Sequence, residues 1–440
     1  MRGMFRFRSN SALAMAVAAG LAVSGFGLSA IPAEAKSKGG GGSNSKEFVA
    51  AAMPLQKKVD ELDKLKADPA QLAAGATQAM PMAEAAAAAA KTPQDMLLAG
   101  QFFVTLGGYN GDMAARQRGA QMMIDSGRLD PAQLPQFNFY LGNFAYASKD
   151  YMTAVKAFKT ASDLGFQHDQ MLPLILQAYG SANMAKDGLL AAQQMIATRK
   201  AAGLAVPEDW ISRANVVAYK ANLGPEAIMF STMLVQEHPS NFNWLASTQM
   251  VRSFAGLDPQ ATLDLFRLMD RSGALDNDPQ YVQGEYKEYI ETADPRKNPG
   301  EVASLISRAV AKGKLKSADG WVSDANTNAT SRIAADKASL PALVKEASGA
   351  ADGKTALLAA DVSLNYDMFD QAVEMYKLAL TKGGVDANIA QTRLGIAQYS
   401  LGNTAEAGDA FAKVTGPRAT VAKLWQALIA SKAAPAAPVG

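Results

Sequence analysis

Cysteine is absent from the 440-residue sequence, and histidine occurs only twice, at His168 and His238. Without thiols there is no disulfide framework and no thiolate to serve as nucleophile or metal ligand. The two histidines stand far apart, with no His-x-x-x-His spacing and no adjoining acidic cluster, so no metal site is assigned. An excess of charge of one sign is also lacking, since 43 basic residues face 41 acidic ones. A near-neutral chain has no overall field to gather nucleic acid, and none is expected as a partner. Strand-like alternation is scarce. The Gly-x-Ser-x-Gly elbow of a serine hydrolase does not occur. The stretch "SGAADGKTALL" comes nearest to a phosphate loop, but Ser348 stands where glycine is required, and Gly349 is one residue too close to Gly353, Lys354 and Thr355. It reads as a glycine turn that opens a helix near Thr355. Carboxylates are plentiful, yet nothing singles one out as an acid or base. No catalytic residue and no cofactor are assigned.

What is present begins with a targeting pattern. Arg2, Arg6 and Arg8 form a positive head, an apolar run extends from Ala12 to Ala30, and Ala33-x-Ala35 follows. This is the plan of a secretory signal peptide, residues 1–35, cut after Ala35 and directing the rest to the periplasm. The alternative is an uncleaved anchor, because residues 9–33 carry no charge and could span a bilayer; membrane contact is expected only in that case. No cysteine precedes the mature start, which excludes lipoprotein anchoring. Residues 36–46, "KSKGGGGSNSK", read as a flexible linker.

From there the pattern is helical. Phe48, Leu55, Val59 and Leu62 recur at helical spacing, and "AEAAAAAAK" (83–91) favours helix by propensity without a strong apolar stripe. Paired helical segments follow, separated by turns such as "SKDY", "ANLGPE", "LNYDMFD" and "SLGNTAEA". A small residue falls early in each second helix, at Ala154, Gly188, Ala227, Ala261, Ala303, about Ala338, Ala372 and Ala407. The successive spacings are 34, 39, 34, 42, 35, 34 and 35, a period of about 34 residues with two loop insertions. Arg308, Lys312, Lys314 and Lys316 close one helix after Glu285, Glu288, Glu291 and Asp294. Such cations complement a helix dipole and read as a solvated face; docking of an anionic partner is the alternative.

The repeat with Leu141-Gly142, Ala154, Phe158 and Ala161, and the one with Leu394-Gly395, Ala407, Phe411 and Val414, carry a resemblance to the tetratricopeptide-repeat (TPR) family. Ala372, Tyr376 and Ala379 match in part, as do Ala227, Leu234 and Pro239, and Trp210 and Trp244 stand near the family's tryptophan position. The resemblance implies an all-α fold, an α-solenoid of antiparallel helix pairs. The expected organisation is N-terminal helices with one degenerate repeat (47–130, with Gly119 or Ala120 in the small position), a TPR-like array (131–275), a divergent helical region (276–347), C-terminal repeats (348–427) and a flexible tail (428–440). In that architecture the first helices of each pair line an inner groove, which places Phe139, Asn143, Tyr146, Ile396 and Tyr399 as candidate partner-binding residues. Of the family's carboxylate-gripping cradle, Asn143 and Arg213 agree, while Phe139, Leu174 and Asp209 do not, so that ligand is not expected. The resemblance implies an exported scaffold for a protein or peptide partner in the cell envelope. The alternatives are an adaptor of outer-membrane assembly or polysaccharide export, and a helical cell-wall-glycan enzyme using a carboxylate.

Overall fold

The structure, a computed structural model, describes residues 44–433. The signal peptide, most of the linker and residues 434–440 lie outside the described residues. Within them there are twenty α-helices, one short 3-10 turn and no strand. The described residues are all-α, built from successive packed helix pairs, and the chain divides into two compact units at Thr198 and Arg199.

The first unit holds α1 (Lys46–Asp63), α2 (Pro69–Ala89), α3 (Pro93–Asn110), α4 (Met113–Asp125), α5 (Leu134–Ala147), α6 (Tyr151–Asp163), α7 (Met171–Ser181) and most of α8 (Ala185–Ala201). Successive helices from α1 to α7 pack in order. Helix starts follow local chemistry. The side chains of Ser45, Asp68, Thr92, Asp112 and Asp150 each accept a backbone N–H of the first turn. The alanine-rich stretch does have a buried face, made of small residues: Ala76, Ala79, Ala83 and Ala86 of α2 share a core with Phe48, Leu55, Phe102 and Leu106.

Small residues fix the helix crossings. A Cβ added to Gly100 would lie 2.6 Å from the Gly119 carbonyl, and one on Gly119 would lie 2.5 Å from that of Gly100, so α3 and α4 meet backbone to backbone. At Gly142 the neighbour is the Phe158 ring, 2.5 Å from where a Cβ would sit. The aromatic fills the space that glycine leaves in its own pair, a close-packed solution that tolerates no added methyl.

The second unit holds α9 (Glu208–Lys220), α10 (Gly224–Glu237), α11 (Asn241–Phe254), α12 (Pro259–Ser272), α13 (Pro279–Ala293), α14 (Pro299–Ala311), α15 (Gly320–Gly349), α16 (Lys354–Asn365), α17 (Phe369–Lys382), α18 (Ala387–Ser400), α19 (Thr404–Ala412) and α20 (Arg418–Ala433). The Gly395–Phe411 seam repeats the Gly142–Phe158 one, with a Cβ meeting the ring at 2.6 Å.

Three features differ from expectation. Ala338 does not open a second helix, because α15 runs unbroken for 30 residues through Pro341. The stretch lacks a turn signal, and the spacing alone had suggested a hairpin. Helix α20 continues to Ala433 with Leu428 buried, beyond the expected start of the tail at residue 428. Most consequentially, the unit turns back on itself: α20 packs on α10 and α12, and α12 also touches α18. Leu263 through Met269 of α12 are all buried as a result.

Candidate partner-binding cleft

The closure of the second unit is sealed by charge. Asp264 of α12 is fully buried and accepts bonds from Arg267 Nη1 (2.8 Å), Arg393 Nε (3.3 Å) and Arg418 Nη1 (2.6 Å). Arg393 also donates to Asp361 (2.6 Å) and to Gln260, and Arg267 is clamped by Glu301 at 2.9 and 2.6 Å. Tyr289 donates to Glu301 at 2.7 Å. Burial penalises the charge on Asp264, but the guanidiniums of Arg393, Arg267 and Arg418 outweigh it and hold the carboxyl below its usual range. Burial likewise opposes the charge of Glu301, and Arg267 with the Tyr289 hydroxyl overcomes it. Both groups stay ionised and fully occupied.

Above this network lies an open cleft of about 670 Å³. Its walls are Asp270 and Arg271 from α12, Arg308 from α14 and Lys312 just after it, Tyr399 and Ser400 at the end of α18 with Leu401, Gly402 and Thr404 following, and Ile429 and Lys432 from α20. Four cations therefore face one wall carboxylate. Arg308 bonds Asp270 at 2.7 Å and Lys312 bonds Asp276 at 2.6 Å, while Arg271 stands 3.6 Å from Asp367. Lys432 enters no ion pair among the described residues; it reaches the Arg271 carbonyl at 3.5 Å and lies 5.6 Å from the Tyr399 ring centre. Tyr399 in turn packs edge-on against Trp425 at 5.3 Å. A smaller recess of about 40 Å³ shares Asp270, Arg271 and Arg308 with the cleft and adds Glu301, Asp367 and Ile396. The Asp367 side chain is 55% exposed, and the partial desolvation it meets at the recess still pushes its carboxyl up, against the pull of Arg271 and Arg308.

The five residues expected in a groove have unequal surroundings. Tyr399 is half-buried and lines the cleft. Ile396 is buried, at 3% exposure, and forms part of the recess below rather than an accessible face. In the first unit Phe139 is half-buried among Phe158 (5.8 Å), Phe166 (4.9 Å) and His168 (4.8 Å). Asn143 is buried and spends its amide on the Phe139 carbonyl at 2.9 Å, which takes it off any surface. The Tyr146 hydroxyl accepts from Gln177 Nε2 at 2.8 Å. Phe139, Asn143 and Tyr146 thus belong to one unit, Ile396 and Tyr399 to the other. Arg213 is bonded by both oxygens of Asp209 on its own helix, at 3.0 Å each. His238 caps α10 and its Nε2 donates to the Val206 carbonyl at 2.8 Å.

Sequence reasoning had noted Arg308 and Lys312 as helix-end cations, but not Arg271, Asp270 or Lys432. Their convergence comes from the packing of α20 on α12. No local spacing announces it.

No family model and no curated protein matches the sequence. Among solved structures, a chain of the Naa15/Naa10 assembly bound to HypK-THB is similar at 13% identity and a TM-score of 0.34, over 84% of this chain and 60% of that one. This chain thus spans less than two thirds of its length. A Rap protein complexed with competence and sporulation factor is similar at 11% identity and a TM-score of 0.17, over 85% of this chain and 99% of that one.

Proposed function

We propose that the chain is an exported, non-catalytic helical-repeat scaffold that binds a protein or peptide partner in the bacterial cell envelope. The observation that carries the binding role is the cleft of the second unit, where charged and apolar side chains from helices remote in sequence converge on one open volume. Export rests on the N-terminal pattern of Arg2, Arg6, Arg8 and Ala33-x-Ala35. Among the described residues no helix is long and apolar enough to cross a membrane.

A carboxylate enzyme is the second reading, and Asp367 is what favours it. Its raised carboxyl shares the recess with the depressed Glu301, a separation of the kind that acid and base pairs use. The recess holds only about 40 Å³, room for a few waters by the measure of about 10–15 Å³ for one, and not for a sugar ring. Scaffold binding therefore explains the site better.

The test is a photo-crosslinker placed at Tyr399, or at Phe139 for comparison, in the protein produced in its own cells. A discrete adduct from the Tyr399 position, on a protein whose mass begins at Lys36, is the expected result. Absence of any adduct from either position, or cleavage of cell-wall glycan that is lost in Asp367→Asn, would overturn the scaffold reading.

A further inference from the structure

Three of the four cleft cations already have carboxylate company, and how firmly each is held differs. Arg308 and Lys312 make short bonds, whereas Arg271 is only loosely opposed by Asp367 at 3.6 Å. Asp367 is itself a reluctant anion, because burial disfavours its charge. Lys432, exposed at the rim, enters no ion pair among the described residues. Lys432 Nζ reaches the Arg271 backbone carbonyl, while the Arg271 guanidinium itself lies 5.8 Å from the Phe369 ring centre, so the two residues border the same end of the cleft. The unmet positive charge is therefore concentrated where α12 meets α20. Across the same volume stand Tyr399, Leu401 and Ile429, all half-buried, so one wall is apolar.

We propose that this cleft seats an acidic linear segment of a partner protein, with its carboxylates at Arg271 and Lys432 and an apolar side chain against Tyr399, Leu401 and Ile429. The proposal rests on the scaffold reading and specifies the chemistry of its partner. A guanidinium presents a planar fork that matches a carboxylate, and Lys432 adds a point charge beside it. The apolar wall supplies contact area that a free inorganic anion cannot use, which selects a peptide over a phosphate ion. The pairing also predicts association that weakens with salt, since the rim charges are exposed.

The probe is a labelled heptapeptide library of Asp and Glu interspersed with Leu, and a second library with Asn and Gln in their place, measured by fluorescence anisotropy on the full mature chain. Binding of the acidic library at least tenfold tighter than the neutral one is expected, with that preference abolished in Lys432→Glu and in Arg271→Gln. Lys432 enters no ion pair among the described residues and is exposed, so the thermal transition of Lys432→Glu, compared with that of Lys432→Gln, separates loss of the site from loss of the fold. Equal binding of the two libraries overturns the proposal. So does displacement of the acidic library by inorganic phosphate at equal concentration, or indifference to Lys432→Glu. If crosslinking at Tyr399 captures a discrete partner whose capture is unchanged by Lys432→Glu, the scaffold reading survives and the acidic-segment proposal falls.

Discussion

Asp264 and Arg418 stand 154 residues apart in the chain, and a carboxylate oxygen of the first accepts a 2.6 Å bond from Nη1 of the second. That bond ties α20 to α12 inside the second unit. Arg393 reaches the same carboxylate from α18, and Arg267 from one turn along α12. A repeat array stabilised by neighbours alone would need no such contact. Here the last helix is returned to the fourth of the unit and locked there by buried charge, and the cleft exists because of that return.

Removing the charge of Asp264 leaves three buried guanidiniums sharing too few acceptors. Breaking a buried ion pair by deleting one partner costs about 3–5 kcal/mol, and Asp264→Asn is expected to destabilise the second unit by that order. The four tryptophans, Trp210, Trp244, Trp321 and Trp425, all belong to the second unit, so their fluorescence during urea unfolding reports it separately. Lys58→Ala, which removes an exposed contact with Glu61 at 3.9 Å, should shift stability by less than about 1 kcal/mol.

The network also sets the response to acid. Asp264 and Glu301 are depressed in the folded chain, so their contribution is complete above the ordinary carboxylate range, about 4, and is lost as pH falls through the folded values. Asp367 has the opposite sign: its folded value is raised, so the folded state is favoured below the ordinary value and loses that advantage as pH rises through the raised one. The Asp367 side chain is 55% exposed, so solvent screens most of that penalty; Asp367→Asn should therefore raise the urea midpoint only slightly at pH 7 and leave it unchanged below pH about 3. Asparagine also suits the left-handed backbone there, where φ is 56°. A lowered midpoint at pH 7 would contradict the assignment.

What could be read from the sequence was local. A small residue and an aromatic at fixed spacing are legible in the repeats of Gly142 and Gly395, and a 34-residue period carries that signal along the chain; that each ring packs on the glycine of its own pair is seen only in the structure. Ala338 shows where a period misleads: the register supplied a small residue, but no glycine or proline turn between Gly320 and Pro341 interrupts the helix. The cleft was illegible for a different reason. Asp264, Arg393 and Arg418 look like ordinary helix-surface charges, and only the contact of helices more than a hundred residues apart buries them. Arg308 and Lys312 were visible as helix-end cations. Their companions on α12 and α20 carried no shared motif.

The entry to α1 has its own anchor, fully buried Asp95. Its carboxylate accepts Ser45 N (3.1 Å), Ser45 Oγ (2.7 Å), Lys91 N (3.0 Å) and Thr92 N (3.0 Å), so it caps α3 and pins the entry to α1 at once. Asp95→Ala strands backbone donors at both places, and about 1–3 kcal/mol per buried unsatisfied group is the scale of the loss. Faster amide exchange across Lys46–Asp63, with Leu134–Ala147 unchanged, is the expected pattern. Uniform loss of protection through the first unit would mean that Asp95 supports the whole array instead.

The seam at Gly142 permits a test whose sign depends on the packing argument. A methyl there would lie 2.5 Å from Cδ1 and 2.6 Å from Cε1 of Phe158, and Phe158 is fully buried, so the ring cannot swing away cheaply. Gly142→Ala should therefore cost about 1–3 kcal/mol by overpacking. In isolation the same change favours a helix by roughly 0.5–1 kcal/mol, because alanine loses less backbone freedom than glycine. Phe158→Ala removes the opposing ring, at a cost of its own of about 3–5 kcal/mol. In that background Gly142→Ala should turn from destabilising to neutral or stabilising, a coupling between the two sites that a double-mutant cycle measures directly. If the glycine substitution costs the same with and without the ring, the pair does not set the crossing of α5 and α6. The close approach must then be held by Ala154 and Ala161, both fully buried on the facing helix.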